Sequence, residues 1–147
     1  MSLVACQSPK LFTSFQELPN GWPEHQALHF EYDNKSNDPS DLFVLARTNP
    51  NYEFSNLYLI TTMNSPSGIV VKDTLEYQMA YPDGQLMGDG LTAVKLHKLW
   101  YKEAYDFDEI GVYSFDIEHA MRRSQDLKGV TLLNGITDFG LQIEKSN

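Results

Sequence analysis

The 147 residues carry 11 Lys and Arg against 20 Asp and Glu, a formal net charge of -9, so nucleic acid or an anionic lipid surface would be repelled unless basic residues clustered on one face. Lys95, Lys98 and Lys102 are the densest basic group, and acids follow them directly. Cys6 is the only cysteine, which excludes an intrachain disulfide and any thiolate-rich metal cluster, and no apolar run is long enough to span a bilayer as a helix.

Taken in order, Leu3-Val4-Ala5-Cys6 precedes polar residues and Pro9, as at the end of a bacterial lipoprotein signal, where a small residue fits the signal peptidase and the cysteine thiol takes the lipid. The charged and apolar start of such a signal is missing, so Met1-Ser2 is expected to stand in its place. A chance cysteine in a floppy terminus explains the residues equally well. Residues 1–10 are read as a tether and 11–147 as one domain.

Leu11, Phe12 and Phe15 suggest an edge strand, closed by the turn Pro19-Asn20-Gly21. Leu28, Phe30 and Tyr32 alternate with His29 and Glu31, the period-2 signature of a strand with one wet face. Leu42-Phe-Val-Leu-Ala46 is a continuous apolar run, as expected of a strand buried on both sides. After the turn Thr48 to Asn51, residues 56–62 return the chain. Asn64 to Gly68 turns it again, and Ile69 to Met79 forms a long strand whose apolar phase slips near Asp73, where a bulge is expected. Tyr81-Pro-Asp-Gly84 is a third turn. Residues 91–105 read mostly as strand. Gly111 to His119 gives the clearest alternation, Tyr113, Phe115 and Ile117 against Ser114, Asp116 and Glu118, with Ala120 to Arg123 expected to end it in a helical turn. Phe139, Leu141 and Ile143 close the sheet. Some eight half-apolar strands with frequent turns point to an all-β fold, a single antiparallel β-sandwich of jelly-roll type.

Local chemistry is weak by comparison. Of His25, His29, His97 and His119, only the first two have ligand-like spacing, and four residues of strand separate them too far for one metal, so both read as surface histidines. Asp106, Asp108 and Glu109 lack the pattern of a dedicated calcium loop and read as a solvated turn. Asp116 and Glu118 share a strand face at a glycosidase-like separation, but same-face acids are ordinary on a wet sheet. Trp22, Trp100, Tyr101 and Tyr105 could form aromatic platforms for sugar rings, or could simply be core.

Five ordered pieces carry a family resemblance: Arg47-Thr-Asn with Tyr52-Glu-Phe-Ser-Asn-Leu57; Asp73-Thr-Leu-Glu-Tyr77; Pro82-Asp-Gly84 with Gly88-Asp-Gly90; Gly111-Val-Tyr-Ser-Phe115 with Ala120-Met-Arg122; and Gly140-Leu-Gln-Ile-Glu-Lys145. Together they resemble the gliding-motility lipoproteins called GldH, of Bacteroidetes. The resemblance implies lipidation at Cys6 and a non-enzymatic envelope accessory without cofactor or metal. Its partners would be other envelope or gliding-machinery proteins, with a glycan as the alternative ligand and the membrane reached through the lipid alone. Gln7-Ser8 carries no inner-membrane retention aspartate and no acidic pair follows Cys6, so the outer membrane, facing the periplasm, is the expected location. Two departures mark this chain: Leu86 or Met87 stands where the family usually has tryptophan, and residues 128–134 look longer than usual.

The polar members of the matching pieces, Arg47, Asn56, Asp73 and Arg122, are expected to be structural, Arg47 pairing with Asp73 or Asp116. The turns 49–54 and 81–90 combine Pro, Gly and Asn with Tyr52, Phe54, Tyr81, Leu86 and Met87. These side chains either plug the open ends of the sandwich or form a partner contact.

Overall fold

The computed structural model describes residues 9–123 and 129–147. Cys6, with the tether around it, and Lys128 lie outside the described residues. Every regular element among those described is a strand, ten in all: β1 (Lys10–Glu17), β2 (Trp22–Pro23), β3 (Leu28–Asn34), β4 (Ser40–Thr48), β5 (Asn56–Asn64), β6 (Val70–Gln78), β7 (Lys95–Tyr105), β8 (Gly111–His119), β9 (Leu132–Leu133) and β10 (Ile136–Lys145).

Pairing is nested around one hairpin. The turn at Ser65 to Gly68 joins β5 to β6, and successive outer pairs are β4 with β7, β3 with β8, β2 with β9 and β1 with β10, all antiparallel. This long folded hairpin rolls up because β4 also pairs with β10 and β5 with β8. Two four-stranded sheets result, a first of order β1-β10-β4-β7 and a second of order β3-β8-β5-β6. That is the strand order of a jelly roll.

The alternation read from the sequence points the right side chains inward. Leu28, Phe30 and Tyr32 from β3, Tyr113, Phe115 and Ile117 from β8, and Phe139, Leu141 and Ile143 from β10 are all buried in one core. Phe107, on the β7–β8 connection, is 1% exposed and packs edge-on or tilted against Tyr32, Tyr105 and Tyr113. No periodic pattern marks it, because it enters the core from a loop. Gly135 sits at φ 96, and a Cβ there would lie 2.2 Å from the Tyr52 backbone nitrogen, which fixes how closely the chain before β10 approaches the β4–β5 turn.

Three local expectations are corrected. The β5–β6 register runs without a shift from Asn56↔Gln78 to Asn64↔Val70, so β6 has no bulge at Asp73. The break in apolar phase arises because Asp73 takes an inward position and meets Lys102 of the facing sheet, Oδ2 to Nζ 3.1 Å. The irregularity lies in β7, whose register against β4 shifts on both sides of Leu42, and where Ala104 has φ 47. Arg47 pairs with neither Asp73 nor Asp116 but with Asp138, 3.1 Å away, its direct neighbour in the β4–β10 register. Ala120 to Arg123 forms no helical turn. Met121 is drawn into the core at 1% exposure, and its carbonyl accepts from the Val130 amide.

The two sheets are also tied at their edges. Gln16 donates to the His29 carbonyl at one edge, and Tyr77 donates to the Trp100 carbonyl beside the Asp73–Lys102 pair at the other. Breaking that pair from one side strands a half-buried charge, whereas removing both charges does not. Lys102→Met is therefore expected to lower the unfolding free energy by about 1–2 kcal/mol in urea titrations, and adding Asp73→Asn to recover much of the loss.

Candidate functional site

The two outer sheet faces differ in chemistry. On the second sheet, β3 and β8 turn outward His29, Glu31, Asp33, Asp116 and Glu118, all exposed or half-buried. This is the wet acidic face that the alternation predicts. Asp116 accepts from His29 Nδ1 at 2.8 Å, and that bond raises the His29 pKa.

The first sheet turns a different surface outward. In the cross-strand register, Thr13, Gln142, Phe43 and Trp100 lie in one row, and Phe15, Gly140, Leu45 and Lys98 in the next. Phe43 and Leu45 are only 6% and 3% exposed although they point away from the core. Neighbouring side chains shelter them. The Trp100 ring packs on Phe43 at 4.3 Å between centroids, Lys98 Nζ lies 4.3 Å over the Phe43 ring, and Arg47 sits 5.2 Å over the Phe15 ring. Gly140 leaves room for Phe15 to lie across β10, since a Cβ there would meet its ring at 2.9 Å.

The result is a groove of about 590 Å³ across the first sheet, with Phe43 and Leu45 in its floor and Phe15 and Trp100, 37% and 52% exposed, at its sides. A polar chain runs through it. Thr13 donates to Gln142, Gln142 donates to Glu144 at 2.6 Å, and Lys98 pairs with Glu144 at 2.5 Å. The charged members are thus neutralised within the groove and held in place by their neighbours.

Of the groove residues, the sequence singled out Arg47, Lys98 and Trp100, and of the four aromatic candidates Trp100 alone presents an open ring. Trp22 is fully buried, packed edge-on against His119 and tilted against Phe139, so it is not a platform. Tyr101 is buried and Tyr105 half-buried in the core. Phe43 and Leu45 are seen in the sequence only as part of an apolar run. The exposed Phe15 ring looks there like any edge-strand residue.

The loop candidates separate by burial. Tyr52 is 4% exposed, with its hydroxyl bonded to the Asn56 carbonyl, and therefore belongs to the interior. Phe54 and Leu86 are half-buried against the core, Met87 is half-buried, and Tyr81 is 50% exposed. Arg122 is exposed, and its backbone bridges Gly129. The β6–β7 connection also displays Leu91, fully exposed, and Val94 at 42%.

Glu109, His97 and His119 have structural partners. Hydrogen bonding from Ser65 and then Ser67 holds the Glu109 carboxyl below the usual range, the Ser67 amide and hydroxyl both donating to it. Among the described residues no three His, Cys, Asp or Glu side chains converge as a metal set would. His97 is buried against the Thr48 hydroxyl. His119 donates from Nε2 to the Trp22 carbonyl and accepts the Met121 amide at Nδ1, an arrangement that only a neutral ring satisfies. Burial lowers the pKa of both.

The sign of the pH dependence follows. A depressed pKa means the unfolded chain takes up protons that the native rings refuse, so stability is full above pH 6.5 and falls as pH drops below it. His29, raised, contributes in the opposite sense but is exposed. Unfolding free energy is expected to fall between pH 7.5 and 5.5 with a limiting slope of about 1.4 kcal/mol per pH unit per histidine. His97→Asn should flatten the profile measured by urea unfolding.

Comparisons with known proteins agree on one family. The family model described as GldH lipoprotein matches residues 10–143. The chain is 42% identical over 144 residues to the "Gliding motility lipoprotein GldH homolog" of Christiangramia forsetii, covering 97% of this chain and 88% of that protein. It is 41% identical over 146 residues to the "Gliding motility lipoprotein GldH" of Flavobacterium johnsoniae, covering 99% and 91%. Among solved structures, the infectious bursal disease virus VP2 subviral particle aligns with a TM-score of 0.32 and 12% identity, over 93% of this chain and 30% of that one, too loose a likeness to carry an argument.

Proposed function

Because the chain belongs to the GldH lipoprotein family, we propose that it is a non-catalytic accessory of the gliding-motility apparatus, anchored through lipid on Cys6 in the outer membrane and facing the periplasm. It acts by contact with other envelope proteins. The observation that carries the contact role is the display of Tyr81, Leu91 and Val94 on the 16-residue connection between β6 and β7, residues 79–94. Exposed apolar side chains gathered on one long loop of a rigid sandwich are costly in water and suit a protein surface. The engagement of His97, His119 and Glu109 in structural hydrogen bonds fits a domain whose work is recognition.

Leu86 and Met87 provide an internal comparison. Leu86 packs against the core and its backbone bridges Ala80, so Leu86→Ser with Met87→Ser is expected to lower the melting temperature. Serine at Tyr81, Leu91 and Val94 is expected to leave it within a few degrees and yet abolish recovery of envelope partners after crosslinking in cells. Recovery unchanged by the second set would remove the contact from this loop. For the anchor, mass spectrometry of the protein from native membranes is expected to find a diacylated or triacylated Cys6 at the mature N-terminus. A mature chain starting elsewhere contradicts it.

A further inference from the structure

We infer that the groove on the outer face of the first sheet is a binding site for a neutral oligosaccharide chain. This inference uses a different surface from the loop contact and does not depend on it.

The ligand class follows from what the groove offers and what it has already satisfied. Its open surfaces are aromatic: the Trp100 ring at one side and the Phe15 ring at the other, 52% and 37% exposed. Such rings reward a ligand with flat C–H faces. Two pairs, Lys98 with Glu144 and Arg47 with Asp138, hold its central charges, and the other charged residues that line it, Lys10, Asp41 and Asp89, are of both signs, so no single sign dominates to select an ionic ligand. The chain's overall -9 further disfavours an anion. Between the rings lies Gln142, and one row beyond it Glu144, 5% and 7% exposed, planar groups fixed by the Thr13–Gln142–Glu144–Lys98 chain. Fixed planar donors and acceptors between apolar surfaces suit a ligand whose edges carry hydroxyls.

Dimensions agree with a chain of sugars. From β1 to β7 the sheet spans three strand spacings, roughly 14 Å, so the two rings would contact different units of one oligosaccharide. The wet face of the second sheet, with no comparable exposed ring among its outward residues on β3 and β8, provides the contrast.

Tryptophan fluorescence reads the site directly. The chain has two tryptophans, and Trp22 is fully buried, so quenching by acrylamide reports chiefly on Trp100. The full chain would be titrated with neutral hexasaccharides of glucose (β-1,4, β-1,3 and α-1,4 linked), xylose, mannose and N-acetylglucosamine, and with a polygalacturonate hexamer as the anionic comparison. At least one neutral hexasaccharide is expected to protect Trp100 and to bind by calorimetry, with the anionic hexamer weaker. Trp100→Ala should weaken binding roughly tenfold or more, Trp100→Phe should retain most of it, and Phe15→Ala should weaken it without altering the melting transition. No protection by any neutral hexasaccharide at millimolar concentration overturns the inference. So does an affinity unchanged in Trp100→Ala, or a site in which only a protein partner is lost with that substitution.

Discussion

A sandwich has one interior, yet β4 and β10 are buried on both faces, and much of the structure depends on that. On their inner side they supply Leu42, Val44, Ala46, Phe139, Leu141 and Ile143 to the common core. On their outer side Phe43, Leu45, Gln142 and Glu144 are removed from water by the side chains of β1 and β7, the two edge strands of the same sheet. Burying apolar surface at about 25 cal/mol per Å² favours such a second layer even though no further element covers it. The aromatic rings that do the covering remain partly open to solvent themselves.

This gives the molecule two chemically different faces. On β3 and β8 the second sheet ends in a hydrated face of carboxylates and a histidine, with Val112 exposed among them. The first ends in a shaped one, in which Gly140 makes room for Phe15 and the Lys98–Glu144 pair holds its polar groups in register. Next to it, the connection from β6 to β7 projects Tyr81, Leu91 and Val94. Its backbone bridge from Asp89 to Leu96 joins that connection to the start of β7, at the border of the groove. The two proposed recognition surfaces therefore adjoin one another.

The fold was largely legible because its signal is periodic. Tyr113-Ser-Phe-Asp-Ile alternates without error, and even the two-sided burial of β4 shows as the unbroken run Leu42 to Ala46. What the sequence hid depends on partners distant along the chain. Asp73 mimics a break in phase because its ion-pair partner Lys102 comes from the opposite sheet. Arg47 finds Asp138 only once β4 and β10 are in register. Trp22 looks like a possible platform until β2 is paired with β9 beside His119 and Phe139. The groove was the least visible feature. Its floor and sides come from four strands, and only the nested pairing places Phe15, Phe43 and Trp100 on one surface.

Recognition is proposed to be confined to the outer face of the first sheet and the adjoining connection. Hydroxyl-radical footprinting of the protein in its native envelope, set against the purified chain, tests this most directly. The account predicts reduced oxidation at Phe15, Trp100 and Leu91 in the envelope, with Val112 and Ile69 oxidised equally in both preparations. Unprotected Phe15, Trp100 and Leu91, or protection centred on Val112 and Ile69, would contradict it.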